Sequence, residues 1–247
     1  MKIFATDTSG KTACAAIVDE YITIGEININ TQKKMTHSEI LLPMIDRLFD
    51  FTGCRIGDMD YVACVNGPGS FTGLRIGAAT ALGLAKGAEK PVVPVPALDA
   101  LAYSITSVPG ADLYIMPMMD ARRAQVYTAV YKNAAFPVPE TAYFALPVAE
   151  ALEILFSLPG FRRGAHVIFT GDGAHEYRAD IENIFHSRGM IPVFTAQNAN
   201  RQRAASVALR AMRMIEEGYV PSPFSLAYIR KSQAERVLSE KNAAVHH

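Results

Sequence analysis

The stretch "NGPGSFTGLRIGAATALGLAKG", residues 66–87, holds six glycines and a proline, follows an apolar run and leads into a helix of small residues. Two readings compete for it. Gly67, Gly69 and Gly73 beside a helix N-terminus let backbone amides approach an anion, because the first helical turn leaves its N–H groups unpaired. Alternatively, Gly73, Gly77 and Ala81 lie one turn apart, with Ala78 and Ala85 on an adjoining strip, and small residues at that spacing admit a close neighbour. The stretch matches neither the G-x-x-x-x-G-K-[ST] nor the G-x-G-x-x-G pattern, and no lysine stands where a phosphate loop needs one. Packing is the better reading, either against the chain's own sheet or against another protein.

Working outward, "KIFATDTS", "TACAAIVD" and "YITIGEINI" read as three short strands with turns at Ser9-Gly10 and Asp19-Glu20. Thr36 and Glu39 then form a T-x-x-E capping box, followed by Ile40, Leu41, Met44, Ile45 and Leu48 at helical spacing and by Gly53 as a stop. Pro43 inside that pattern predicts a kink. "MDYVACVN" and "PVVPVP" read as strands on either side of the glycine stretch. A weaker echo follows: "DLYIMPMMDARRAQVYTAVYK" repeats strand, Asp-bearing turn, strand, with Asp120 matching Asp7. "HVIFTGDGA" is a strand ending at Gly171, and residues 202–217 read as a helix with Ala208, Ala211, Met212 and Ile215 along one face. The order predicts a duplicated, two-lobed α/β fold with mixed sheets flanked by helices. The lobes are expected at residues 1–104 with a returning segment 219–247, and at 105–218.

Lys+Arg and Asp+Glu both count 24, so the formal net charge is zero. Proteins that grip nucleic acid alone usually carry a basic excess. The three cysteines, Cys14, Cys54 and Cys64, form no C-x-x-C pair, which argues against a disulfide framework or a cysteine-built zinc site. "MKIFATDTSG" begins as a strand rather than a leader, and no apolar run reaches the length of a membrane span, so the expected location is the cytoplasm. The terminal His246-His247 is set aside as a tag remnant.

"THSEILLPMI", "NGPGSFTGLRIGAATALGLA", "DARRAQVYTAVY" and "PFSLAYIRKSQAE" together closely resemble the bacterial tRNA threonylcarbamoyladenosine biosynthesis family TsaB, also called YeaZ, over nearly the whole chain. The resemblance implies the two-lobed fold of the actin-like ATPases (ribonuclease H-like units) and a non-catalytic partner of the TsaD transferase, with the ATPase TsaE also taking part. It places the partner contact on the helices at 36–52 and 72–86. The residues expected to build that face are His37, Ile40, Leu41, Met44, Leu48, Gly73, Leu74, Gly77, Ala78 and Ala81. Without the partner the same face is expected to form a two-fold homodimer. Contact with tRNA is expected only through the complex.

The related transferase carries an H-x-x-x-H metal motif. Aligned on the preceding strand, its two histidines fall on Ala97 and Leu101 of "VPVPALDALAY", which cannot ligate a metal. Asp99 is the single candidate ligand left there, and no metal site is expected. His37 lacks a second histidine at helical spacing, and His166, His175 and His186 are scattered. Ser9 and Ser70 lack a nucleophile elbow or a neighbouring histidine and read as turn residues. Two rivals remain. A kinase-like ATPase of the same fold would hold ATP or ADP with magnesium in the interlobe cleft, or at a complex interface, through Asp7, Gly69, Ser70, Gly73 and Gly171. A metallopeptidase-like protein would need clustered metal ligands.

Overall fold

The computed structural model describes residues 1–31, 35–105 and 112–229; residues 230–247 of the expected returning segment lie outside them. Strands β1 (Lys2–Asp7), β2 (Thr12–Asp19), β3 (Ile22–Asn30), β4 (Tyr61–Gly67) and β5 (Val92–Pro96) form a first sheet in the order β3-β2-β1-β4-β5. The outer hairpin strands run antiparallel, while β1, β4 and β5 are parallel. Helix α1 (His37–Thr52) connects β3 to β4, α2 (Phe71–Gly87) connects β4 to β5, and α3 (Ala97–Tyr103) follows.

The second half repeats the plan. Strands β6 (Leu113–Asp120), β7 (Gln125–Thr128), β10 (Phe144–Pro147), β11 (His166–Thr170) and β12 (Val193–Phe194) run in the order β10-β7-β6-β11-β12. The short β8 (Tyr131–Lys132) and β9 (Val138–Pro139) pair beside β6. Helices α4 (Val148–Phe156), α5 (Asp172–Glu176), α6 (Arg178–Ser187) and α7 (Ala204–Glu216) take the remaining crossovers. The echo of Asp7 in Asp120 is structural: each ends the first strand of its sheet. Asp7 Oδ1 accepts the N–H of Ser9 at 2.7 Å, and Asp120 Oδ1 accepts that of Arg122 at 2.8 Å. Both carboxylates close a turn two residues on. The chain has a duplicated α/β fold, with two five-strand paths of matching order flanked by helices.

Strands β1 and β2 are buried on both faces. Ile3, Ala5, Cys14, Ala16 and Val18 face one core, while Phe4, Ala13, Ala15 and Ile17 face another. The alternation follows the two-residue period of a strand. Helix α7, second-lobe by chain order, packs on the first sheet, where Ala204, Val207, Ala208, Ala211 and Met212 join the core of Ile3 and Ala5. Helix α3 in turn touches β6, so each unit lends a helix to the space between the sheets.

Helix α1 starts as its sequence dictates. The Glu39 carboxylate accepts the Thr36 N–H at 2.6 Å, and Gly53 ends the helix at φ 65°. Pro43 lies within the helix without terminating it. The small residues of α2 are used internally. A Cβ on Gly73 would lie 2.1 Å from the Thr8 carbonyl oxygen, and one on Gly77 would lie 2.4 Å from Thr8 Oγ1. Thr8 Oγ1 donates to the Gly73 carbonyl at 2.7 Å, tying the β1–β2 turn to the helix. The glycines therefore exist to let α2 sit on that turn.

Overpacking of this kind costs about 1–3 kcal/mol. Gly73→Ala should destabilise the protein more than Gly77→Ala in chemical denaturation, because a backbone atom blocks the first and a side chain the second. Thr8→Ala should relieve Gly77→Ala and leave Gly73→Ala unrelieved.

Candidate functional site

The residues expected to form the partner face divide sharply once placed. Ile40, Leu41, Met44 and Leu48 are buried against Phe4, Ala13, Ile17 and Val62. Gly73, Leu74, Gly77, Ala78 and Ala81 are likewise buried within the chain. As residues offered to a partner these nine are corrected. They are the regular apolar stripe of each helix, and a regular stripe on a crossover helix is the side that covers its own sheet. Only His37 stays partly open, and its Nε2 lies 2.9 Å from the Gly10 carbonyl oxygen.

The outward surface of the two helices is nevertheless apolar, through side chains that break the stripe. Leu42 is 54% exposed, Phe51 82% and Leu82 39%. Leu42, Pro43, Ile45, Asp46 and Phe49 of α1, Leu84 of α2, and Cys54, Arg55 and Ile56 of the following turn line an open groove of about 640 Å³. Its rim carries Asp46 and Arg55 around an apolar floor, a distribution found in protein contact surfaces. No local periodicity marks Leu42, Phe51 and Leu82; the clue is that they are large apolar residues at positions where an amphipathic helix places polar ones.

A second, polar site lies between the lobes. Ser9, Gly10, Lys11, His37, Gly69, Ser70, Asp120, Arg122 and Asp172 line a cleft of about 380 Å³. An adjoining one of about 270 Å³ shares Lys11 and Asp172 and adds His175, Glu176, Arg201 and Gln202. Gly69, Ser70 and Asp120 thus meet across the cleft, whereas Asp7 is 1% exposed and does not line it. Three amides of the glycine loops are bonded within the chain. Ser70 N–H donates to the Ser9 carbonyl at 2.7 Å, Gly73 N–H to Ser70 Oγ at 3.2 Å, and Gly171 N–H to Asn200 Oδ1. A Cβ on Gly69 would sit 2.5 Å from the Ser9 carbonyl oxygen, and one on Gly171 would sit 2.1 Å from that of Met118. Of the nominated nucleotide contacts, Ser70, Gly73 and Gly171 have their backbone N–H groups bonded within the chain, while Gly69 and Ser70 line the cleft.

The positions matching the transferase histidines, Ala97 and Leu101, are buried on α3. Asp99 between them is fully engaged. Its Oδ1 accepts the Tyr131 and Tyr143 hydroxyls, each at 2.6 Å, and its Oδ2 accepts Arg210 Nε at 2.8 Å. Burial, reinforced by the Asp99 charge, pushes the Tyr131 hydroxyl well above its ordinary pKa. The one acid left in that segment clamps α3 to β8 and α7. Among the described residues no group of three or more His, Cys, Asp or Glu is placed to hold a metal ion, and no helix is long and apolar enough to cross a membrane.

Comparison with known proteins settles the family. The family described as "TsaD: tRNA N6-adenosine threonylcarbamoyltransferase" matches residues 26–235. The TsaB protein of Bacillus subtilis is 30% identical over 95% of this chain and 96% of its own length. The chain belongs to the TsaB (YeaZ) family. The TsaB proteins of Haemophilus influenzae and Escherichia coli are 37% and 34% identical, over 51% and 54% of this chain; those alignments span 52% and 56% of the two relatives. Among solved structures, a Pseudomonas aeruginosa protein described as similar to peptidase YeaZ superposes with a TM-score of 0.74 at 24% identity, covering 93% of this chain and 99% of its own. P. aeruginosa YeaZ superposes at 0.69 and 24%, covering 88% and 93%. These two likenesses establish the shared fold.

Two outcomes are expected here. Burial, partly opposed by the Ser9 hydrogen bonds, raises the Asp7 carboxyl from 3.8 to about 6. A raised folded-state pKa means that the contribution of Asp7 is fully present below the unfolded value and is lost as pH rises through about 6. The stability of wild type relative to Asp7→Asn should therefore fall between about pH 4 and 7, by up to about 3 kcal/mol. Thermal melts of both proteins across that range check it. Asp99→Ala removes the acceptor shared by the Tyr131 and Tyr143 hydroxyls, leaves Arg210 with Glu217 alone, and should cost about 2–4 kcal/mol in denaturant titrations.

Proposed function

We propose that the protein acts in tRNA threonylcarbamoyladenosine biosynthesis as a non-catalytic docking partner of a TsaD-type transferase, through the outward face of α1 and α2. The observation that carries this reading is the groove lined by Leu42, Pro43, Phe49, Ile56 and Leu84, flanked by the exposed Phe51 and Leu82. Apolar side chains exposed together on two neighbouring helices gain free energy when a partner covers them, at about 25 cal/mol per Å² removed from water. The relatives' biosynthesis name and the match to the transferase family support a TsaD-type protein as that partner. Two further features support a non-catalytic role. The transferase's histidine positions are Ala97 and Leu101, and Asp99 between them is spent on a structural clamp.

In the absence of the transferase, the same face pairs with a second copy, because a two-fold contact hides both grooves at once. A TsaE-type ATPase and the tRNA engage the assembled complex rather than this chain alone.

The test is substitution on the exposed side. Leu42→Arg and Leu82→Arg should each weaken co-purification with the transferase at least tenfold while leaving the melting temperature within about 2 °C. Either substitution places a charge in a dry contact and leaves the free protein's core untouched. Retention of full binding by both variants would remove the groove as the docking face. Leu74→Arg, by contrast, should unfold the chain, because Leu74 is buried in its own core.

A further inference from the structure

The last described residues return across the first lobe and end beside α2. Ala227 N–H donates to the Asn66 carbonyl at 2.8 Å, and Asn66 Nδ2 reaches the Ser225 carbonyl at 3.4 Å. Gly67 has no room for a side chain because the Ala227 carbonyl oxygen stands 2.3 Å from where its Cβ would be. Phe224 packs into the core beneath α1 and α2. This strap, residues 224–228, is thus fixed at both the backbone and an apolar anchor, and it carries Tyr228 to the first turn of α2.

There three side chains meet. The Tyr228 ring lies 4.9 Å from that of Phe71, the Arg75 guanidinium sits 3.8 Å over the Phe71 ring, and Arg75 Nε donates to the Tyr228 hydroxyl at 3.4 Å. All three residues are exposed, and those contacts are the full set that Arg75 makes among the described residues; no carboxylate pairs with it. A guanidinium held flat against one ring and bonded to a second is ordered before any ligand arrives. It loses less entropy on binding than a free arginine, and its remaining N–H fork matches a carboxylate. Phe71 and Arg75 continue along the exposed side of α2 to Ala79 and Leu82, so the trio is contiguous with the docking face.

We infer that Arg75, preorganised by Phe71 and Tyr228, is a specificity anchor of the docking face and binds a carboxylate side chain on the transferase-type partner. This rests on the docking role proposed above. The occupant is the partner rather than a second copy because this face has few free carboxylates of its own. Of the acids exposed on α1, Glu39 is held by Thr36 and Asp50 by Arg47, leaving Asp46. The strap is the positioning element: it sets the geometry of Arg75 through Tyr228.

Calorimetric titration of the full-length chain with the purified transferase tests this. Arg75→Ala should raise Kd about tenfold to a hundredfold, as expected for a lost charge-assisted hydrogen bond at a dry contact, and should flatten the dependence of Kd on salt. Arg75→Glu should weaken binding further, and Arg75→Lys should recover only part of the loss because an ammonium lacks the planar fork. Tyr228→Ala should weaken binding in the same direction with the melting temperature unchanged. An Arg75→Glu variant that binds within twofold of wild type overturns the inference. If Leu42→Arg still abolishes binding in that case, the docking face stands and only the anchor is lost; if both variants bind normally, the docking reading itself has failed. A change in self-association of Arg75→Glu that Asp46→Ala reproduces, with transferase affinity unaltered, identifies the occupant as a second copy and likewise overturns it.

Discussion

The contact on which the molecule depends is the seat of α2 on the β1–β2 turn. Two glycines one helical turn apart let the helix backbone descend onto Thr8, closer than any side chain permits. Three consequences follow. The Ser9 carbonyl of the turn accepts the Ser70 N–H, which ties the glycine loop to the first strand pair. The helix is held so low that its small-residue side disappears into the first lobe. What remains outside is the opposite side, with Phe71, Arg75, Ala79 and Leu82. One packing event thus decides which side of the helix is buried and which is exposed.

The duplicated architecture uses its buried acids structurally. In both halves an aspartate ends the first strand and folds back on its own turn. Asp99 on α3 is surrounded by Tyr131 of β8, Tyr143 just before β10 and Arg210 of α7. Such a buried, fully satisfied network fixes relative positions because breaking any member strands the others. Helix α7 on the first sheet and α3 against β6 tie the lobes together in the apolar core as well. A scaffold benefits from that rigidity, since a preformed surface binds without first being ordered.

Much of this was legible in the chain. The T-x-x-E box and Gly53 marked the ends of α1, the first two apolar runs read as strands, and the recurrence of an Asp-bearing turn announced the duplication. The sense of the helices was not legible in the same way. Periodicity in Ile40, Leu41, Met44, Ile45 and Leu48 reports that a helix has an inner side; it cannot say whether that side meets its own sheet or a stranger. The residues that do face outward, Leu42, Phe51 and Leu82, are visible as exceptions to the pattern, and an exception gains meaning only once the pattern's partner is known. The clamp on Asp99 and the strap beside Arg75 join residues 32 to 153 positions apart, which leaves no trace in local spacing.

The most direct measurement is hydrogen–deuterium exchange of the protein alone, with ATP and magnesium, and with the transferase. Addition of the transferase is predicted to protect amides in residues 37–52 and 71–87, while nucleotide leaves residues 8–11 and 170–176 unchanged. Protection of the cleft segments by nucleotide alone, with α1 and α2 indifferent to the transferase, would contradict the account.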